Sequence, residues 1–325
     1  MNKISAAMTT YNGEKFLKEQ LDSMLRQSRL IDELVVCDDG SKDGTIGILN
    51  EFAGAAPFPV KITINENNLG STKNFEKVIS LCSGDIIILC DQDDIWLPDK
   101  VKILVGVFLA NPNCKMAFTD AIIVDESNNR TGELWASFYF DKKAQKTMKS
   151  GKGLRFFAGA NVVTGATAAI AKSLFEEAAP FPEEFVHDYW LATIAEIKGE
   201  LFFNASFTIN YRKHQSQQTG IVSTKKFPQK INCIPEFDKN VKLMQIMLKK
   251  LDDRSYLTKK QRKVFTDKME FFHFRGNMPS NIFVRIPKIA INTLNGNYFR
   301  YATGFLSIIK DLLLPLFPKR TKTCL

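Results

Sequence analysis

Short apolar runs alternate with amphipathic ones along the first 90 residues of the chain. Apolar runs of strand length occur at residues 4–8, 33–38, 60–65 and 85–90. Between them, residues 16–26, 45–52 and 72–81 place apolar side chains three and four positions apart, the spacing of one helix face. This alternation indicates βαβ units around a mostly parallel sheet. Ligands bind at the carboxyl ends of the strands in such sheets, so polar residues that follow the strands are the functional candidates.

The pattern continues less regularly toward the C-terminus. It predicts a helix at residues 99–109, strand-like runs at 115–119 and 121–124, and a late edge strand at 201–211. Residues 126–155 are polar and aromatic with little periodicity, which predicts a loop or lid. Regular structure is expected again at residues 162–171, 174–178 and 191–198. Beyond residue 220 we predict Lys-rich helices at 241–251 and 259–274, then a hydrophobic stretch from 282 onward.

The net charge of +9 is unevenly distributed over the 325 residues. Residues 225–325 hold 21 Lys and Arg against 7 Asp and Glu, a net of +14, whereas the preceding 224 residues carry a net of −5. A basic surface of this kind attracts phosphate groups of anionic lipid or of nucleic acid. The remaining composition, 45% hydrophobic and 24% charged, is that of a globular protein and excludes general disorder.

The six cysteines indicate neither a zinc site nor a redox motif. They lie at wide spacings, without a C-x-x-C pair, at residues 37, 82, 90, 114, 233 and 324. Small buried thiols in a reducing compartment are the simplest interpretation. The apolar run that follows Lys3 is too short and too polar for a secretory signal, so we expect a cytoplasmic protein.

Three carboxylates follow the strongest predicted strand. Asp91, Asp93 and Asp94 lie within four residues, directly after the run at 86–90. Carboxylates this close repel one another unless a cation lies among them. Mg²⁺ and Mn²⁺ bind one or two protein carboxylates together with water and phosphate oxygens, so the cluster predicts a metal that holds a diphosphate. The alternative is a carboxylate-rich turn at a helix N-terminus, with Asp99 stabilised by the helix dipole.

Two further polar segments follow predicted strands, and each has two interpretations. Asp38 and Asp39 end the second strand, where a carboxylate can accept hydrogen bonds from a ribose hydroxyl or a base N–H. A plain turn is the alternative there. After the first strand come Thr9, Tyr11 and Asn12, and Tyr11 is either a stacking surface for a nucleobase or a core tyrosine.

These segments, in this order, resemble the inverting glycosyltransferases of the GT-A fold, often called family 2. The resemblance covers about residues 1–220 and implies a nucleotide-sugar side at 1–100 and an acceptor side at 101–220. It implies a Rossmann-like α/β fold, with a mostly parallel sheet flanked by helices and a C-terminal helical extension at 221–325. It also implies Mn²⁺ or Mg²⁺ as the cofactor.

The resemblance assigns donor-binding residues one by one. The family's D-x-D motif matches Asp91 to Asp93, which implies Asp91 near the ribose and Asp93 on the metal. Its N-x-G segment, beside the base and ribose, matches Asn68 to Gly70. Many members carry Pro where this chain has Thr10. The full set that we assign to the nucleotide sugar is Thr9, Tyr11, Asn12, Asp38, Asp39, Asn68, Gly70, Lys73, Asp91, Gln92, Asp94 and Arg212.

A carboxylate that takes the proton of the acceptor hydroxyl is the second element of the family's chemistry. Residues 187–191 resemble the H-D-x-W-L version found in rhamnosyltransferase-like members, which implies that Asp188 is the general base. We assign His187, Trp190 and the small-residue turn at Gly165 to the acceptor. A helix N-cap is the alternative role for Asp188.

A later run, residues 211–220, resembles the family's Y-R-x-H-x-x-N-x-x-G segment. In the family, its His and Arg lie near the diphosphate and the metal, which implies that His214 is a metal ligand and that Arg212 contacts phosphate. From its chemistry alone, a neutral imidazole can either complete the ligand shell of a metal or form a hydrogen bond with a phosphate. Gln217 or Gln218 stands where members of the family show Asn.

The stretch from residue 282 to 318 mixes apolar runs with basic residues. Lys310 and Asp311 interrupt its run at 305–317, so a membrane-spanning helix is not expected. We expect an interfacial helix on an anionic membrane surface, peripheral on the inner face of the membrane. Packing on the catalytic domain or on a second subunit, as in a homodimer, is the alternative.

The sequence thus predicts an inverting glycosyltransferase that moves a sugar from a nucleotide diphosphate sugar, dTDP-rhamnose or a UDP-hexose, to a hydroxyl group. The expected acceptor is a glycan or lipid-linked sugar in surface polysaccharide synthesis. A nucleotidyltransferase is one alternative, but residues 9–15 do not supply the Gly-rich, basic phosphate loop that it needs. A non-catalytic membrane or nucleic-acid binding protein is another, and it leaves the acidic motifs unexplained. We expect no nucleic-acid partner.

Overall fold

A computed structural model of the chain describes residues 2–215, 217 and 237–313. In these ranges one sheet contains the strands β1 (Ile4–Thr10), β2 (Glu33–Asp38), β3 (Val60–Ile64), β4 (Ile86–Cys90), β5 (Ile95–Trp96), β6 (Met116–Val124), β7 (Arg130–Glu133), β8 (Ala168–Ala171) and β9 (Leu201–Arg212). The helices are α1 (Glu14–Leu25), α2 (Thr45–Ala55), α3 (Gly70–Leu81), α4 (Lys100–Ala110), α5 (Leu134–Ser137), α6 (Lys142–Thr147), α7 (Leu154–Phe157), α8 (Lys172–Ala178), α9 (His187–Lys198), α10 (Phe237–Asp253), α11 (Lys259–Gly276), α12 (Ile282–Leu294), α13 (Asn297–Tyr301) and α14 (Phe305–Leu313).

The first four strands form the predicted βαβ core. They lie in the order β3-β2-β1-β4, and each adjacent pair runs parallel. β2 and β4 are buried along their whole length, as expected of central strands covered on both faces. In the register, Thr10 pairs with Asp38 and Met8 with Cys90, so these strands end at one edge of the sheet. The fold is the predicted α/β type with a mostly parallel sheet flanked by helices.

The second half of the sheet departs from the sequence pattern. β8 lies antiparallel between β4 and β6, and β9 lies between β6 and the two-residue β5. The prediction of β9 as an edge strand is wrong, because β6 pairs with one side of β9 and β5 with the other. β5 contains only two residues, which carry no strand pattern of their own, so the sequence gives no sign of this pairing. β6 is continuous where two separate runs were predicted, with a register shift against β9 at Asp120.

Residues 126–155 form regular structure and not the predicted loop or lid. They contain β7, α5, α6, a π-helical turn at Met148–Lys152 and the start of α7. Trp135 and Phe140 are buried edge-to-face with ring centres 4.9 Å apart, and both contact Phe118 and Phe203. The segment is ordered by these aromatic contacts and not by an amphipathic repeat, which is why its sequence pattern is weak.

The chain divides into two compact units: Met1–Lys146 with Asn161–Thr219, and Thr147–Ala160 with Gly220–Leu325. In the second unit, Phe271, Ile289, Tyr298 and Tyr301 form a hydrophobic core. α11 begins with a capping box between Thr258 and Gln261. No helix in the described ranges combines the length and the apolar character that crossing a membrane requires.

Four cysteines, Cys37, Cys82, Cys90 and Cys114, are buried free thiols, as predicted. Cys233 and Cys324 lie outside the described residues. So do residues 216 and 218–220 of the predicted motif and residues 314–318 of the hydrophobic stretch.

Candidate active site

The structure brings together the two side chains predicted as metal ligands. Asp93 follows β4 and His214 follows β9, and the His214 Nε2 lies 2.8 Å from Asp93 Oδ2. The two side chains are 15% and 6% exposed. The imidazole packs against the Phe16 ring at 4.9 Å, which fixes its plane, and its Nδ1 has no hydrogen-bond partner in the described part of the chain.

This pair fits one kind of cation site. Among the described residues, no group of three His, Cys, Asp or Glu side chains is placed to hold an ion. Mg²⁺ and Mn²⁺ sites with only one or two protein ligands take the rest of their shell from water and substrate phosphates. Asp93 and His214 therefore suit a cation that binds together with a phosphate-bearing ligand, and not a permanently held structural ion.

Asp91 interacts electrostatically with both Asp93 and Asp188. Burial raises the pKa of Asp91 to about 7, and the charges of Asp93 and Asp188 act in the same direction. The three carboxyls thus share one electrostatic environment although Asp188 is distant in sequence. A bound cation would favour the ionised form of Asp91 and lower its pKa.

Asp94 belongs to the protein interior, which does not favour its predicted role in donor binding. Its carboxyl is buried, and Oδ1 accepts the backbone N–H of Arg212 at 3.0 Å. Burial holds the pKa of Asp94 well above its usual range, and the charge of Asp93 adds to this shift. The side chain joins β9 to the turn that follows β4.

Lys100 is a residue to which the sequence analysis gave no role. It is buried at the start of α4, where its ammonium lies 4.3 Å from the centre of the Trp96 ring and donates to the Ala166 carbonyl at 2.5 Å. Its charge lowers the pKa of both Asp91 and Asp94 and so offsets part of the acidic cluster from inside. A lone Lys at the start of an apolar helix, after three Asp residues, is the signal that could have revealed it.

Arg212 is also enclosed, which does not favour its predicted contact with phosphate. Its guanidinium donates to the carbonyls of Asp93 and Glu126 and to the Glu19 carboxylate. It also lies 4.5 Å over the Phe16 ring, and the side chain is almost completely buried. These contacts come from α1 and from the β6–β7 connection, and they leave no accessible face for a phosphate.

The next residue, Lys213, instead reaches an open groove of about 450 Å³. The groove is lined by Asp125, Glu126, Ser127, Lys213, His214 and Gln215. Lys213 is partly buried, desolvation lowers its pKa, and its ammonium has no ion pair or hydrogen bond with any residue that the structure describes. Successive residues of a strand face opposite sides, so only one of Arg212 and Lys213 can enter the core.

Asp188 is a fixed carboxylate in the first turn of α9. It accepts the Gly165 backbone N–H at 2.7 Å and the Asn161 side-chain amide at 3.0 Å. Burial raises the pKa of Asp188 to about 6, against the lowering effect of these hydrogen bonds. The N-cap of the helix is Val186, so Asp188 does not have the alternative N-cap role. An oriented carboxylate with a pKa near neutrality suits proton acceptance.

The residues around Asp188 lie inside the protein and pack around the segment that carries this carboxylate. Trp190 is fully buried and its indole N–H donates to the Ala178 carbonyl, which does not favour its predicted contact with the acceptor. His187 is buried and stacked on Phe75 at 3.7 Å, which favours a packing role over acceptor contact, and burial lowers its pKa to about 3. A Cβ at position 165 would lie 2.6 Å from His187 Nε2, so Gly165 is needed for close packing.

Asp38 and Asp39 are buried and anchor the loops around them, and their contact with the nucleoside stays a prediction. Asp38 accepts hydrogen bonds from the hydroxyls of Thr10 and Ser41 and from two backbone N–H groups. Asp39 accepts from the side chain of Asn65 and from the backbone of Leu69 and Gly70. Their oxygens are occupied inside the protein.

The other assigned donor residues surround this edge of the sheet. Gly70 has φ +74°, which favours glycine, and Asn68 Nδ2 donates to the Asp39 carbonyl. The Lys73 ammonium is engaged by the Glu76 carboxylate and the Phe181 carbonyl.

Gln92 connects the loops after β1 and β4. Its amide accepts from the backbone N–H of Tyr11 at 2.8 Å and donates to the Tyr11 carbonyl at 3.1 Å. Tyr11 is 39% exposed, which excludes the interpretation as a core tyrosine. Thr9 is partly buried before it, and the Asn12 side chain accepts the Lys42 N–H.

Comparison with known proteins identifies the family. The sequence profile described as Glycosyl transferase family 2 matches residues 5–177, which is more than half of the chain. The chain belongs to this family. It is therefore a glycosyltransferase, as predicted, and the two alternative functional classes are not supported.

Two relatives and one solved structure show which proteins this glycosyltransferase is similar to. The dTDP-rhamnosyl transferase RfbG of Shigella flexneri is 29% identical over 227 residues, or 66% of this chain and 73% of RfbG, which confirms the predicted rhamnosyltransferase-like resemblance. The UDP-Glc:alpha-D-GlcNAc-diphosphoundecaprenol beta-1,3-glucosyltransferase WfgD of Escherichia coli is 32% identical over 108 residues, covering 33% of this chain and 42% of WfgD. The chain thus spans less than half the length of WfgD.

Structural similarity confirms the GT-A fold. The mannosyltransferase PcManGT from Pyrobaculum calidifontis, solved with GDP-Man and Mn²⁺, superposes with a TM-score of 0.55 at 14% identity. The similarity covers 98% of this chain and 88% of that one.

Proposed function

We propose that this glycosyltransferase moves a sugar, with inversion, from a nucleotide diphosphate sugar to a hydroxyl of a glycan or lipid-linked acceptor in surface polysaccharide synthesis. The names of two relatives support dTDP-rhamnose or a UDP-hexose as the donor, and one of them also supports a lipid-linked acceptor. The observation that carries the proposal is the oriented carboxylate of Asp188 beside Asp91 and the Asp93–His214 pair.

Asp93 and His214 are the residues that would hold Mn²⁺ or Mg²⁺. When bound, such a cation neutralises charge on the departing diphosphate. The mannosyltransferase of the same fold was solved with Mn²⁺, which supports a divalent ion in this protein as well.

Asp188 takes the proton of the acceptor hydroxyl. With a pKa of about 6, its carboxylate is mostly ionised at neutral pH and ready to accept that proton. The hydroxyl oxygen forms the new bond to the anomeric carbon on the face opposite the leaving diphosphate, so a single displacement inverts that carbon. The Gly165 N–H and the Asn161 amide hold the carboxylate in place throughout.

Lys213, and not Arg212, is the proposed cationic contact for the donor diphosphate. It adjoins His214 in the groove and has no partner among the described residues, whereas Arg212 is enclosed by Glu19, Glu126 and Phe16. A lysine ammonium acts on a phosphate as a point charge and needs no fixed bidentate geometry.

The function is tested by turnover with a panel of donors. The purified chain is incubated with dTDP-rhamnose, UDP-glucose, UDP-galactose or GDP-mannose and an acceptor extract, with Mn²⁺ and then with excess chelator. We expect release of nucleoside diphosphate from one donor class, and only with metal. Release of sugar 1-phosphate, with the nucleoside monophosphate moved to the acceptor, would indicate a nucleotidyltransferase, and donor binding without any turnover would indicate a binding protein.

The role of Lys213 is tested by calorimetric titration of dTDP and UDP against their nucleosides. Lys213→Gln should weaken nucleoside diphosphate binding about tenfold, the effect of one lost charge-assisted hydrogen bond, and leave nucleoside binding unchanged. Lys213→Arg should retain most of the affinity. Lys102→Gln, which removes an exposed lysine of α4, is the matched control. Equal losses for nucleoside and nucleotide would contradict a phosphate contact.

A further inference from the structure

α12, in the second unit, exposes a broad apolar surface. Leu294 and Phe283 are 87% and 84% exposed, the highest values among the large apolar side chains that the structure describes. Ile286 and Ile291 are about half exposed. We define the apolar face of α12 as Phe283, Ile286, Pro287, Ala290, Ile291 and Leu294, which recur three and four positions apart and therefore share one side of the helix.

The opposite side of α12 is fixed to the core of its unit. Ile289 belongs to the hydrophobic cluster with Phe271, Tyr298 and Tyr301. Arg285 is buried and donates to the Pro279 carbonyl at 3.0 Å. Because this side is anchored, the apolar face cannot turn inward within the unit. A contiguous exposed face of this kind marks an interaction surface.

The charges around this face select the kind of partner. Residues 271–310 contain no Asp or Glu, but they contain the basic residues Arg275, Arg285, Lys288, Arg300 and Lys310. Lys288 and Arg300 are exposed. The next carboxylate, Asp311, is buried and is bonded to Arg275 and to the Tyr298 hydroxyl. Lys288 and Arg300 therefore present positive charge in the segment that carries the apolar surface.

An anionic lipid surface matches both properties. Lipid phosphates attract Lys288 and Arg300, and the acyl boundary accepts the apolar side chains. A second copy of the chain offers an apolar face but brings the same positive charges against each other, so self-association through this face is opposed. With 13 residues, α12 is too short to span a bilayer but long enough to lie in its surface.

We propose that α12 binds the surface of an anionic membrane, with its apolar face in the boundary between headgroups and acyl chains and with Lys288 and Arg300 on lipid phosphates. This binding is independent of sugar transfer. It would hold the enzyme beside a lipid-linked acceptor.

Vesicle flotation of the full chain tests the proposal, with phosphatidylcholine vesicles and with phosphatidylcholine–phosphatidylglycerol vesicles. We expect binding to the anionic vesicles only, weakened by salt. The double variant Phe283→Ser/Leu294→Ser should lower the partition coefficient by at least about tenfold, because two large side chains no longer enter the acyl boundary. Lys288→Gln/Arg300→Gln should lose the preference for anionic vesicles.

Ile64→Ser/Leu109→Ser is the matched control, since it removes two side chains that are 54% and 70% exposed in the other unit. It should bind vesicles as the parent does. Circular dichroism and donor-dependent release of nucleoside diphosphate, measured without vesicles, should be unchanged in every variant. These readouts separate failure of membrane binding from failure of folding or of the proposed function.

Three results would overturn the proposal. The first is a parent chain that binds neither kind of vesicle. The second is a Phe283→Ser/Leu294→Ser variant that binds as the control does. The third is a parent dimer, seen by light scattering without lipid, that this variant converts to a monomer, because a second copy would then be the occupant of the face.

Discussion

Replacing Asp188 by Asn removes the proposed proton acceptor but keeps the size of the side chain. The new carbonyl oxygen can still accept the Gly165 N–H, but the new amide nitrogen faces the Asn161 side-chain amide, which now donates to Asp188 at 3.0 Å. Asn161 cannot rotate its amide without a loss, because its Oδ1 accepts the Val163 N–H at 3.0 Å. The variant therefore loses one hydrogen bond, which stabilises the fold by about 1 kcal/mol.

The lost charge acts in the opposite direction on stability. Burial raises the pKa of Asp188 from 3.8 to about 6, and each unit corresponds to about 1.4 kcal/mol, so the ionised carboxylate destabilises the fold by about 3 kcal/mol at neutral pH. Because the folded state holds this proton more tightly than the unfolded state, the destabilisation is present above about pH 6 and disappears as the pH falls toward about 4. We therefore expect Asp188→Asn to be at least as stable as the parent at neutral pH.

Turnover should fall while stability does not. A positioned general base accelerates a reaction by about 10²- to 10⁴-fold, so kcat should drop at least about 100-fold with little change in the donor KM. In the parent, kcat should decline about tenfold per pH unit below about pH 6, as the carboxylate takes up its proton. The residual activity of the variant should lack this decline.

The assay is release of nucleoside diphosphate at saturating donor and acceptor, from about pH 5 to 9, with thermal unfolding of the same samples. Glu183→Gln is the control, because it removes an exposed carboxylate from the connection that leads into α9. A variant that retains more than about one fifth of the parental kcat would refute the role of Asp188. A loss of activity that follows a loss of stability would refute it as well.

Further predictions concern the side chains around the acidic cluster. Asp93→Asn or His214→Gln should weaken Mn²⁺ binding in the presence of UDP about tenfold or more in a paramagnetic resonance titration, and unchanged binding would exclude the pair as ligands. Chelation should abolish turnover, and Mn²⁺ or Mg²⁺ should restore it. Arg212→Gln should lower the free energy of unfolding in urea by about 2 kcal/mol because it removes the guanidinium hydrogen bonds to the carbonyls of Asp93 and Glu126, while the folded protein keeps its affinity for UDP. Trp190→Phe should lower stability by about 1 kcal/mol and leave the acceptor KM unchanged, since the ring is buried; a raised KM at unchanged stability would contradict this.

The N-terminal half of the fold could be predicted closely because its signals are local. β2 has the predicted bounds, and β1, β3 and β4 differ from prediction by no more than two residues at either end, because buried parallel strands form continuous apolar runs. β7, α5 and the pairing of β5 with β9 were not predicted. They depend on contacts between distant segments, such as the packing of Trp135 on Phe203, which a local pattern does not contain.

The family, the acidic cluster after β4, the carboxylate at Asp188 and the separation of charge between the two parts of the chain could all be read from residue type and order. The accessibility of each polar side chain could not, because it depends on the folded chain. Arg212 is enclosed and Lys213 reaches the groove because residues 16, 19 and 126, far apart in sequence, surround one side of β9. Accessibility depends on such long-range neighbours, and for that reason the same motif contains both structural and candidate catalytic residues.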